Sequence, residues 1–80
     1  MRIERIAREN GVGCTVRRGE NSTRISLSNA CGWAGIVILR KDTLEMKKIK
    51  LVFAYRSLRN MCGNWNIRIP YHKDFIVEDV

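Results

Sequence analysis

The segment Asp42–Gly63, DTLEMKKIKLVFAYRSLRNMCG, decides the fold. It is the longest patterned run in the chain, and it reads as a helix. Asp42 or Thr43 is placed to cap its N-terminus, and Asp42 with Glu45 has the spacing of a capping box. Gly63 stands where a left-handed residue ends a helix. At about 100° per residue, Leu44, Leu51, Tyr55, Leu58 and Cys62 share one stripe. Met46, Ile49 and Phe53 fall on nearly the opposite side. A surface helix needs one apolar stripe. Two predict a helix covered on both sides, by a sheet on one and by the N-terminal helix, a C-terminal hairpin or a second subunit on the other. The competing reading is a strand over residues 48–55, with Ile49, Leu51, Phe53 and Tyr55 on one face. The caps, and the good helix formers Leu, Glu, Met and Lys, favour the helix.

Upstream of the helix, Gly35-Ile36-Val37-Ile38-Leu39 is a continuous apolar run closed by Arg40-Lys41. Such a run suits a strand covered on both faces, and the expectation is a central strand. Residues 29–34, NACGWA, read as a loop, with Trp33 expected to cap the core rather than to stand as an exposed anchor. Residues 14–28 alternate as a β-hairpin turning at Gly19-Glu20-Asn21-Ser22. Its wet face would carry Thr15, Arg17, Arg24, Ser26 and Ser28, donors suited to phosphates. Further upstream, Ile3, Ile6 and Ala7 have helical spacing, and Asn10-Gly11 can end that helix after about two turns.

Downstream of Gly63 the chain alternates again, with Trp65, Ile67 and Ile69 on one face, until Pro70 confines that strand to an edge. Tyr71–Asp74 reads as a turn and Phe75-Ile76-Val77 as a last short strand. The whole is expected to be an α+β domain spanning residues 1–80. It would have a small antiparallel sheet packed on one long helix, a short N-terminal helix and a C-terminal β-hairpin.

Charge is the strongest compositional signal. Lys plus Arg is 15 and Asp plus Glu is 8, for a net +7. Residues 74–80 hold Asp74, Glu78 and Asp79, so the body before them is +10 (15 basic less 5 acidic). Such a body attracts polyanions or an acidic protein surface. No apolar run approaches the roughly 18 residues that span a bilayer, so no membrane partner is expected. The start, MRIERIAREN, lacks the apolar core of a secretory signal, and a cytoplasmic location is expected. Cys14, Cys31 and Cys62 are widely spaced and His72 is the single histidine, so neither a zinc site nor any other cofactor is expected. The cysteines read as reduced, partly buried small hydrophobes, with Cys14–Cys31 or Cys31–Cys62 bridges as alternatives.

Catalysis has little to rest on. A ribonuclease-like site would need His72 with Tyr71, Lys73 and an arginine, and the plainer reading of His72 is an exposed turn residue. The expectation is a protein that is not an enzyme and binds nucleic acid or a ribonucleoprotein. Arg17, Arg18, Arg24, Lys47, Lys48, Lys50, Arg56 and Arg59 would supply the contacts. The order helix, three strands, helix resembles the double-stranded-RNA-binding domain, and Lys47-Lys48-x-Lys50 is similar to that family's basic helix start. The family's spacing would place Ala at 50 and Lys at 51, where this chain has Lys50 and Leu51, and its Gly-Pro-x-His loop has no counterpart. The resemblance is one of topology, which does not assign function.

A second class is an inhibitor or adaptor that blocks an acidic or nucleic-acid-handling protein, in the style of phage-encoded anti-CRISPR or anti-restriction proteins. Met46, Ile49, Phe53 and Trp33 would form its interface, and the same helix stripe would serve a homodimer.

Overall fold

The computed structural model describes residues 2–63. Over that range the chain is α+β: α1 (Arg2–Glu9), β1 (Gly13–Arg18), β2 (Ser22–Asn29), β3 (Gly32–Leu39) and α2 (Leu44–Cys62). The strands form one antiparallel sheet in the order β1-β2-β3. The expected C-terminal hairpin, with Trp65 and His72, lies outside the described residues.

Each boundary has a local cause. α1 ends in a pair of nested backbone bonds. The amide of Val12 donates to Ala7 at 2.9 Å and that of Gly11 to Arg8 at 3.0 Å. Gly11 is left-handed at φ 71°, as this terminator requires. Val12 is then folded back and buried beside Ala7. Between β2 and β3, the Asn29 side chain accepts from the amides of Cys31 at 2.9 Å and Gly32 at 3.2 Å. These bonds close the tight turn between the paired strand ends Asn29 and Gly32. α2 is capped by Thr43, whose hydroxyl accepts from the Met46 amide at 3.2 Å, and it ends at left-handed Gly63, φ 62°. The cap is thus Thr43 alone. The capping box expected from Asp42 and Glu45 does not form, because Asp42 is turned toward the end of β3, where its carboxylate accepts from the Leu39 amide.

One face of the sheet carries the core. Ile25 and Leu27 of β2, and Ala34 and Ile38 of β3, meet Ile3, Ile6 and Ala7 of α1 and Leu51, Ala54, Tyr55 and Leu58 of α2. α1 lies against β1, and α2 runs back along β3. The sheet therefore does not pack on one long helix. The two-turn α1 takes a share of the cover, since Ile3 and Ala7 are fully buried.

Two further expectations are corrected. The run Gly35–Leu39 is an edge strand, not the central one. β2 takes the centre because both connections are hairpins that pair it on either side, and Val37 and Leu39 are left exposed. Residues 29–34 are not a loop: Gly32, Trp33 and Ala34 already belong to β3. Residues 48–55 are helical, and Leu51, Tyr55 and Leu58 are fully buried. The opposite stripe is uncovered among the described residues: Met46, Ile49 and Phe53 are 43%, 59% and 66% exposed. No described helix is long and apolar enough to cross a membrane.

Candidate nucleic-acid interface

The sheet face away from the helices is open, and its composition follows from strand alternation. Side chains at every second position point to one side. With Ile25 and Leu27 facing the core, Arg24, Ser26 and Ser28 must face out. The register then sets the outer face in rows: Gly13, Ser28 and Trp33; Thr15, Ser26 and Gly35; Arg17, Arg24 and Val37. Thr15, Arg17, Arg24 and Ser28 are exposed and Ser26 is half-buried. None of these strand positions holds a carboxylate. Two shallow depressions adjoin here and share Arg24 and Ser26. One reaches Trp33, Gly35 and Val37, the other Thr15 and Arg17.

Trp33 was expected in the core, and the structure places it on this face, 66% exposed. Its phase decides this: Ala34 and Ile38 are the inward positions of β3, so Trp33, Gly35 and Val37 are the outward ones. The indole leans along the strand over Gly35. A β-carbon on Gly35 would lie 3.1 Å from the Trp33 ring. A side chain at 35 would therefore push the ring edge aside by a few tenths of an ångström. Gly35 was not singled out from sequence. The signal was present in the two-residue period of Ala34, Ile36 and Ile38, but the unbroken apolar run concealed it.

The expected basic residues do not form one patch. Arg17 and Arg24 meet on the outer face, while Arg18, one residue on, belongs to the helix-bearing side. Lys47, Lys48 and Arg59 are half-buried on α2, and Arg56 is exposed there. α2 packs on the inner face, so Lys47, Lys48, Arg56 and Arg59 belong to the other side of the sheet from Arg17 and Arg24. Lys50 is engaged internally. Its ammonium donates to the Val37 carbonyl at 2.8 Å and forms an ion pair with Asp42. The hydrogen bond from Lys50, with that from the Leu39 amide, holds the Asp42 carboxyl below the usual carboxylate range.

The cysteines divide. Cys14 is half-buried on the inner face, as expected of a partly buried thiol, and Cys31 is exposed in the β2–β3 turn, where that expectation fails. Burial, with the charge of Glu4, pushes the Cys14 thiol up to about 11. Tyr55 lies nearby in the core, and burial followed by the proximity of Cys14 raises its phenol well above the usual range. Among the described residues no group of three or more His, Cys, Asp or Glu side chains could hold a metal ion. Tyr71, His72 and Lys73 lie outside the described residues.

Comparison of the chain with protein families, with curated proteins and with solved structures finds no match.

Proposed function

We propose that this protein binds nucleic acid through the outer face of its sheet. The observation that carries the reading is the pairing of Arg17 with Arg24 on an exposed face that has no strand carboxylate. Two guanidiniums set side by side repel each other unless an anion lies between them. The hydroxyls of Thr15, Ser26 and Ser28 beside them are neutral donors of the kind that fix a phosphate backbone. The net charge of +7 adds long-range attraction for a polyanion.

The test is fluorescence anisotropy with labelled oligonucleotides at low salt. Affinity should fall steeply as salt rises. Replacing Arg17 and Arg24 together by Ala should weaken binding and make the log–log slope shallower by roughly 0.7–0.9 for each phosphate contact removed. No binding to DNA or RNA of any form at low salt would remove the reading.

One observation favours a second reading, contact with a protein. Met46, Ile49 and Phe53 form an exposed apolar stripe on α2, with Arg56 alongside. Aromatic residues, methionine and arginine are enriched in interface cores. The positive charge of the chain suits an acidic partner better than a second copy of itself. Recovery of one acidic protein from a nuclease-treated pull-down, lost with Phe53→Asp, would support this reading. A doubled mass in sedimentation would point to the homodimer instead.

A further inference from the structure

Resting on the nucleic-acid reading, we infer that the ligand of the sheet face is a single strand, one of whose bases stacks on Trp33 while its phosphates lie against Arg24 and Arg17. Three observations converge. The indole reaches Gly35 with the edge of its six-membered ring and is still 66% exposed, so an aromatic surface is offered to solvent. The ring takes no part in the core, which lies on the other face of the sheet, so it is free to meet a ligand. The ring leans along β3 toward the row that holds Arg17, Arg24 and Val37. Its end over Gly35 is one two-residue step of the strand, about 7 Å, from that row. That is the scale of one nucleotide from base to neighbouring phosphate.

The geometry selects against a duplex. In a double helix the base faces are stacked on one another and are not free to stack on an indole held on a sheet. In a single strand every base has a free face, and an aromatic platform beside cations is the general solution for holding it. The α2 lysines do not add to the charge of this face. Lys47 and Lys48 are half-buried, and Lys50 is held by Asp42 and the Val37 carbonyl. Specificity for sequence is not expected, since stacking accepts any base.

The experiment uses the full chain with three labelled probes of equal length: oligodeoxythymidine, oligouridine and a mixed-sequence DNA duplex. One or both single strands should bind more tightly than the duplex. Trp33→Ala should weaken single-strand binding about tenfold, the scale of one base–aromatic stack. Trp33→Phe should recover most of the loss, and duplex binding should be unchanged in both. In a Trp65→Phe background, where Trp33 is the sole indole, its fluorescence should be quenched on addition of single strand. Far-ultraviolet circular dichroism of Trp33→Ala should match the parent, because the side chain lies outside the core. Equal or tighter duplex binding, with Trp33→Ala neutral, would overturn the single-strand inference and leave the nucleic-acid reading standing. No binding to any of the three probes would overturn both.

Discussion

Arg17 and Arg24 are direct partners across the β1–β2 ladder, and both side chains are exposed on the face away from the helices. Like charges directly opposite on a sheet destabilise it, by roughly 0.2–1 kcal/mol on the scale of cross-strand pairs. Arg24→Thr removes the repulsion and supplies a β-branched residue suited to a strand. The variant should be more stable in urea by a few tenths of a kcal/mol and should bind oligonucleotides more weakly. The two changes must have opposite signs. A variant that loses stability would show that Arg24 is held by contacts other than a bound anion.

Lys50 ties the start of α2 to the end of β3. It spans from α2 to the Val37 carbonyl and to Asp42, which in turn accepts from the Leu39 amide. Lys50→Met should therefore lower the melting temperature and leave nucleic-acid affinity unchanged, the reverse of Arg24→Thr. The pH dependence has a definite sign. The folded carboxyl of Asp42 titrates below its ordinary 3.8. Its contribution is present above that value and is lost as pH falls through the depressed folded value. Melting curves of the parent and Asp42→Asn should thus differ at pH 6 and converge in acid. Curves that stay parallel down to pH 2 would show that the ion pair contributes nothing.

The alkaline side is governed by Cys14 and Tyr55, whose folded values are raised rather than lowered. Both groups are neutral in the fold and ionise more readily in the unfolded chain. Stability from this source is full below the unfolded thiol value, 9.0, and declines as pH rises toward the folded value of about 11. Cys14→Ala should flatten the start of that decline. Reactivity offers a second check. A shift from 9.0 to about 11 leaves Cys14 with about a hundredth of the ordinary thiolate at pH 8. In a Cys62→Ser background, a thiol reagent should modify exposed Cys31 first and Cys14 about a hundredfold later. Equal rates would mean that β1 opens readily.

The elements legible from sequence were those with an uninterrupted local signal. Cys14–Ser28 alternates strictly, so the outward set Thr15, Arg17, Arg24, Ser26 and Ser28 could be read directly. Asn10-Gly11 and Gly63 announced two helix ends because left-handed backbone selects so few residues. What failed needed tertiary information. Gly35–Leu39 is apolar on both faces, and nothing local distinguishes a doubly covered strand from an edge strand with an exposed apolar side. Trp33 followed it into error, since a large aromatic is assigned to the core unless its phase is known. Asp42 and Thr43 are equivalent as caps on paper. The choice between them was made by the Leu39 amide and the Lys50 ammonium, both of which compete for Asp42. Lys50 looked like a surface cation for the same reason.

The two stripes of α2 should behave oppositely under mutation, and the contrast reports whether the second is covered in solution. Leu51 is fully buried against the sheet, so Leu51→Ala should cost about 2–5 kcal/mol, enough to unfold much of a domain of this size. Phe53 lies two residues on and is 66% exposed. Phe53→Asp removes little packing from the described residues, and its cost should be limited to helix propensity, up to about 0.7 kcal/mol. Urea unfolding of both variants at several protein concentrations decides the matter. A small, concentration-independent effect at Phe53 leaves the stripe free for a protein partner. A loss of several kcal/mol that is independent of concentration would show that another part of the same chain covers it. A loss that grows with protein concentration would show that a second copy does, because dimer stability scales with the concentration of protomers.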